Sequence, residues 1–161
     1  MLGVINIYSK SKNWIARSLS NFAAHVFIMD GKQISCFEAF LQSLKFAERD
    51  VQEEIWRMSG KEAKQFGSQQ EWEQDGWLYW DGHGYRRNSR EYRHLIERAY
   101  DSLLENHDFR EALLASRGKL LIHTIGRYRH TVLTAPEFCG ILMKKRRQLL
   151  REIKKNKGGT F

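Results

Sequence analysis

The chain of 161 residues contains a single proline, Pro136, and only two cysteines, Cys36 and Cys139. One proline rules out the Pro-rich linkers that separate domains. Two cysteines without C-x-x-C spacing rule out a disulfide framework and a cysteine zinc site, so reduced thiols in a cytoplasmic protein are expected. No apolar run approaches the length of a membrane span, so no membrane association is expected. The N-terminal stretch MLGVINIYSKSK turns polar too early for a signal peptide. The six histidines show no H-E-x-x-H or paired ligand spacing, and neither a metal nor another cofactor is expected. A Walker A loop, a dinucleotide fingerprint, a nucleophile elbow and internal repeats are likewise missing.

What is present suffices for one ordinary domain. Hydrophobic residues make up 42% of the chain and aromatics 12%, enough to build a core and to exclude disorder. The net charge of +8 suggests a polyanionic partner, but it is unevenly spread. Residues 144–157, KKRRQLLREIKKNK, carry eight basic residues and one acidic residue, and the remainder is nearly neutral. Two readings stand. This is a solvated helix end whose cations suit the negative pole of the dipole, or a nucleic-acid contact through Lys144, Lys145, Arg146, Arg147 and Arg151. The division that follows is a domain over 1–150 and a basic, partly flexible end over 151–161.

The element pattern is mixed α+β, a mainly helical single domain with a small β-sheet. VINIYS (4–9) is β-branched and reads as a strand. HVFIMDGKQIS (25–35) reads as two short strands around Asp30-Gly31, a two-residue hairpin signal. Helices are predicted over about 36–48 and 50–58. A third begins at the capping box Ser59-x-x-Glu62, with Gly67 as a left-handed stop. Residues 68–87, rich in tryptophan, tyrosine and glycine, show neither period and read as a loop, either a lid or a stacking platform. Its acidic residues Glu71, Glu73, Asp75 and Asp81 suit a compact ligand better than a long nucleic-acid strand. Tyr92, Leu95, Ile96, Ala99, Tyr100, Leu103 and Leu104 recur at helical spacing. Asp108-x-x-Glu111 predicts a capped helix to Ala115, KLLIHT (119–124) a buried strand, and Pro136 opens the last helix. His123 and His130 read as structural histidines.

Glu38 raises the functional question. It sits in SCFEAFLQSLKF (35–46), where Phe37, Phe40, Leu41 and Leu44 form an apolar face. Glu38, Gln42 and Lys45 form a polar stripe at i, i+4 and i+7. Glu38 either faces water, or closes a capping box on Ser35, or carries chemistry.

The stretch LSNFAAHVFIMDGKQISCFEAFLQSLKF resembles the core signature of the NADAR, or YbiA-like, family. Its elements are Ser20-Asn21-Phe22, Asp30-Gly31, Glu38, Phe40, Gln42 and Lys45-Phe46, in order and without gaps. INIYS, Ala63 with Gly67, LLENHDFREALLAS (103–116), KLLIHT and LMKKR (142–146) extend the similarity to about 140 residues. The resemblance implies a YbiA-like fold and cleavage of N-glycosidic bonds at ribose, in phosphoribosyl intermediates of riboflavin synthesis or in ADP-ribosyl-guanine. It implies that Glu38 is the catalytic carboxylate near the anomeric carbon. Ser20, Asn21, Phe22 and Lys45 would position substrate and Trp77 or Trp80 would stack on the base; in a rebuilt site Arg127 with Arg129 would hold phosphate.

The chain also departs from the family's pattern. Ile122 stands where the family has a second carboxylate. Arg127, His130 and Thr131 replace an Asp and a Trp-Gly, Pro136 to Cys139 replace Asn-x-Leu-Gly, and Ala39 replaces a histidine. Two outcomes follow: a rebuilt hydrolase site with Asp75 or Asp81 as second carboxylate, or a catalytically degenerate relative that binds ADP-ribose, a nucleotide or nucleic acid.

Overall fold

A computed structural model describes residues 3–124 and 131–158. Arg127, Arg129 and His130 lie outside them. The described residues form seven helices and three two-stranded sheets, so the expected single small sheet is divided into three pairs within an α+β domain.

Strand β1 (Gly3–Asn6) pairs in parallel with β6 (Lys119–Ile122), near the other end of the chain. The pairing continues as Ile7 N–H donates to Ile122 C=O at 2.8 Å. β6 is not the buried strand that KLLIHT suggests: Leu121 is buried, while Lys119 and Leu120 are exposed. Helix α1 (Trp14–Ser18) follows, capped by the Asn13 side chain. β2 (Phe27–Met29) and β3 (Lys32–Ile34) form the expected hairpin. Asp30 and Gly31 both take positive φ, 49° and 76°, as a tight two-residue turn demands.

Helices α2 (Phe37–Ser43), α3 (Arg49–Ile55) and α4 (Gly60–Gly67) come next. Cys36 is the N-cap of α2 and makes no side-chain cap bond. The capping box on Ser35 is therefore not formed, because Ser35 N–H is spent on Trp56 C=O at 2.8 Å. The box at Ser59 and Glu62 is formed. Gly67 is not a left-handed stop. It is the last helical residue, with Ser68 as a right-handed cap.

Residues 77–86 are a β-hairpin rather than a loop. β4 (Trp77–Trp80) and β5 (His83–Arg86) pair antiparallel around Asp81-Gly82, whose φ values of 49° and 77° repeat the first turn. The two hairpins are stitched turn to turn. Trp80 Nε1–H donates to Asp30 at 2.8 Å, and Lys32 reaches Asp81 at 3.0 Å. Trp80, 1% exposed, joins Phe40 and Trp56 in an aromatic cluster, close to the offset geometries aromatic rings prefer.

Helix α5 (Arg90–Leu103) buries the predicted stripe. Helix α6 (His107–Ala115) is capped by Asn106, not Asp108. Helix α7 (Ala135–Gly158) starts from a reciprocal Thr134–Glu137 pair and runs unbroken through the expected boundary at residue 150. Lys144 pairs with Glu97 and Lys145 with Asp101, and Arg146 donates to the carbonyls of Ser116 and Lys119. Arg147 and Arg151 are exposed.

Candidate functional site

Helix α2 has no water face: all seven of its residues are buried. Its apolar side packs on the aromatic core. Its polar stripe is covered by α4, which approaches closely because Gly67 faces Gln42 of that stripe and Gly60 faces Phe22 of the preceding turn. A Cβ on Gly60 would fall 2.6 Å from the Phe22 ring and 2.8 Å from Phe22 Cα. A Cβ on Gly67 would fall 2.0 Å from Gln42 Oε1. Between these glycines α4 carries Lys64, whose Nζ lies 3.6 Å from Glu38 Oε1.

Glu38 is 7% exposed. Its backbone N–H donates to Asn21 C=O at 2.9 Å, tying the helix start to the Ser20-Asn21-Phe22 turn. Gln42 Nε2 donates to Glu38 Oε1 at 2.7 Å. A carboxylate only accepts, so the amide must turn its N–H there. Gln42 Oε1 is then left buried without a donor, at a cost of about 1–3 kcal/mol. Oε2 of Glu38 has no hydrogen bond within the described residues. Gln42 and Lys64 thus fix and balance one oxygen and leave the other open.

Asn21 is oriented by the same logic. The Tyr100 hydroxyl donates to Asn21 Oδ1 at 2.9 Å. Burial raises the Tyr100 phenol well above its ordinary pKa, so it stays protonated and acts as the donor. The Nδ2 group of Asn21 has no acceptor among the described residues. Ser20, Asn21, Phe22, Glu38, Gln42 and Lys64 line a cavity of about 250 Å³. The rest of its lining, in chain order, is Ile7 to Ser9, Leu41, His123, Thr131 to Leu133, Ala135 and Phe138. The 131–137 segment is fastened by Arg87, which donates to Thr131 C=O and forms a bidentate pair with Glu137. The hydroxyl of Tyr92 also donates to Val132 C=O.

The cavity therefore gathers Glu38, Ser20, Asn21 and Phe22, but not Lys45, Trp77 or Trp80. Lys45 turns away and donates to Gly67 C=O at 3.0 Å, closing the end of α4. Trp80 is sealed in the core, and Trp77 lies under Arg86 on the hairpin. Asp81 sits in the hairpin turn with Lys32 and Arg49. Asp75 caps the start of β4 through Trp77 N–H. Neither is at the cavity, so neither supplies a second carboxylate there. Lys64 and His123 line the cavity without having been singled out as site residues. The i, i+4 register of Gly60 and Lys64 on one helix was the available signal for Lys64. Among the described residues no group of three or more His, Cys, Asp or Glu could hold a metal ion, and no helix is long and apolar enough to cross a membrane.

Burial, with the nearby Lys64 charge, lowers the Lys45 pKa to about 8 from 10.5. Folding releases a proton between these values, so stability should rise with pH across that window. Side-chain NMR of Lys45 should show a midpoint near 8, and one near 10.5 would contradict the burial described.

The arrangement is a YbiA-type fold with a cavity lined in part by α2 and α4. The NMR structure of E. coli YbiA superposes with a TM-score of 0.65 at 25% identity, covering 94% of this chain and 88% of that one. The chain belongs to the family of bacteriophage protein GP30.3, whose family model matches residues 13–147. An uncharacterized 17.1 kDa protein from the Gp30-rIII intergenic region of Enterobacteria phage T4 is 39% identical over 134 residues, 80% of this chain and 88% of that protein.

Proposed function

We propose that the chain hydrolyses an N-glycosidic bond to ribose in an ADP-ribosyl or phosphoribosyl nucleobase conjugate, as its resemblance to the NADAR family implies. The observation that supports this is the state of Glu38. It is a buried carboxylate at a cavity wall, charge-balanced by Lys64 on one oxygen and open on the other. As the C1′–N bond breaks, its electron pair leaves with the nucleobase and positive charge grows on the ribose. A preplaced carboxylate stabilises that charge. Asn21 Nδ2 would hold a ribose hydroxyl or phosphate oxygen. The cavity volume is just below the ~300–1,000 Å³ of ordinary ligand pockets. In this reading the cavity receives the ribosyl unit. The test is mass spectrometry of an oligonucleotide carrying ADP-ribosyl-guanine. Release of ADP-ribose is expected. Intact substrate, together with no binding of ADP-ribose in a titration, would refute the reading.

A polyanion contact on α7 is a second reading, favoured by exposure. With Lys144, Lys145 and Arg146 engaged inside the protein, Arg147, Arg151, Lys154, Lys155 and Lys157 stand exposed with Glu152 as the sole acid. DNA affinity should fall steeply between 50 and 200 mM salt, at about 0.9 log unit per phosphate neutralised per log unit of salt. Neutralising these five residues should flatten that slope. An unchanged slope would dismiss the surface.

A further inference from the structure

His123 lines the same cavity as Glu38, and its ring is fixed by two contacts. Nδ1 is 2.7 Å from Ile7 C=O. A carbonyl only accepts, so the neutral ring carries its proton on Nδ1 and its lone pair on Nε2. Phe138 meets the ring edge to face at 5.9 Å, which holds its plane. Nε2 has no partner among the described residues. The carbonyl that selects this tautomer belongs to the residue just past β1. The β1–β6 register brings it there, so this parallel pairing sets which ring nitrogen carries the proton. The other titratable groups lining the cavity are Tyr8, Glu38 and Lys64. Of these, Lys64 is already paired with Glu38.

We infer that His123 is the proton acceptor for the attacking water, an inference that rests on the hydrolase reading above. Ile122 is not in the cavity lining, whereas His123 is, with Nε2 unpartnered among the described residues. Water oxygen bonds to C1′ while one of its protons passes to Nε2. The C1′–N bond breaks and its electron pair goes to the nucleobase nitrogen. The imidazolium then returns the proton to that nitrogen. Ribose gains OH, the base gains H, and His123 ends neutral. Glu38 keeps its charge throughout, as counter-ion to the ribosyl cation. The two groups thus divide between them the work of a carboxylate pair.

The experiment combines imidazole ¹H–¹⁵N NMR of the whole chain with turnover of the ADP-ribosyl-guanine oligonucleotide from pH 5 to 9. Wild type and His123→Asn are compared, because the asparagine amide can keep the bond to Ile7 C=O. The neutral ring should show the Nδ1–H tautomer. His123→Asn should bind ADP-ribose within about 3-fold of wild type, yet turn over at least ~10²-fold more slowly and lose the acidic limb of the pH profile. An Nε2–H tautomer overturns the inference, and so does a variant with unchanged rate and pH profile. If wild type itself shows neither turnover nor binding of ADP-ribose, the hydrolase reading falls and this inference with it. Turnover by wild type with an unaffected variant overturns the inference alone. Should His123→Asn fail to fold, the tautomer of the wild-type ring decides.

Discussion

Glu38→Gln should reduce ADP-ribose release at least ~10²-fold while leaving the protein folded and ADP-ribose affinity within about 10-fold of wild type. The swap preserves shape, and the new amide oxygen can still accept from Gln42 Nε2. What disappears is the negative charge that Lys64 now balances from 3.6 Å. In the ground state that loss is modest, because a neutral ribosyl conjugate asks little of a carboxylate. In the transition state the ribose carries positive charge and the counter-charge is missing. Rate should therefore suffer far more than binding, as expected for an interaction stronger in the transition state. Glu38→Ala is a poorer probe. It leaves Gln42 with both polar ends buried and unpaired, adding to the Oε1 atom that already lacks a donor. Mass spectrometry gives the rate and calorimetry the affinity. Turnover within about 3-fold of wild type would assign Glu38 a structural role.

Gly60→Ala should destabilise the fold by about 1–3 kcal/mol. In most helices this change is neutral or helpful, since alanine outranks glycine by about 1 kcal/mol. Here the added Cβ would lie 2.8 Å from the Phe22 Cα. That neighbour is backbone and cannot rotate away, so either α4 or the Ser20-Asn21-Phe22 turn must move. The turn carries Asn21, and α4 carries Lys64, so the cavity should loosen as stability falls. Gly140→Ala is the control. Gly140 is exposed on α7 with nothing within 4 Å of a Cβ, and its substitution should stabilise by up to about 1 kcal/mol. The two variants should shift the denaturation midpoint in opposite directions. A stabilised Gly60→Ala would contradict the close packing of α4 on Phe22.

These glycines also explain what the sequence concealed. The stripe Glu38, Gln42, Lys45 has the spacing of a solvent face, and nothing within α2 says that another helix covers it. The cover is written in α4, as Gly67 against Gln42, and that glycine reads naturally as a helix stop. The first hairpin was plain because Phe27, Ile28 and Met29 lead straight into Asp30-Gly31. The second carries the same Asp-Gly signal at Asp81-Gly82. Its strand Trp77–Trp80 buries Leu78 and Trp80 and half-exposes Trp77 and Tyr79. With large apolar side chains at every position, that alternation leaves no polar mark. Glu38 and the Ser20-Asn21-Phe22 turn were legible from resemblance. The placement of His123 depends on pairing between chain ends 116 residues apart, which local spacing does not report.

The two Asp-Gly turns hold each other through side chains fifty residues apart. Asp30 accepts from Trp80 and from Arg98 of α5, and Asp81 accepts from Lys32 beside the first turn and from Arg49 of α3. Each acidic residue therefore answers for two others in distant parts of the chain. Across the lineage, replacement of Asp30 should be accompanied by change at Trp80 or Arg98, and replacement of Asp81 by change at Lys32 or Arg49. The mid-chain hairpin is in this sense inherited together with the first one, and grafting it alone onto a relative would leave both turns with unanswered charges.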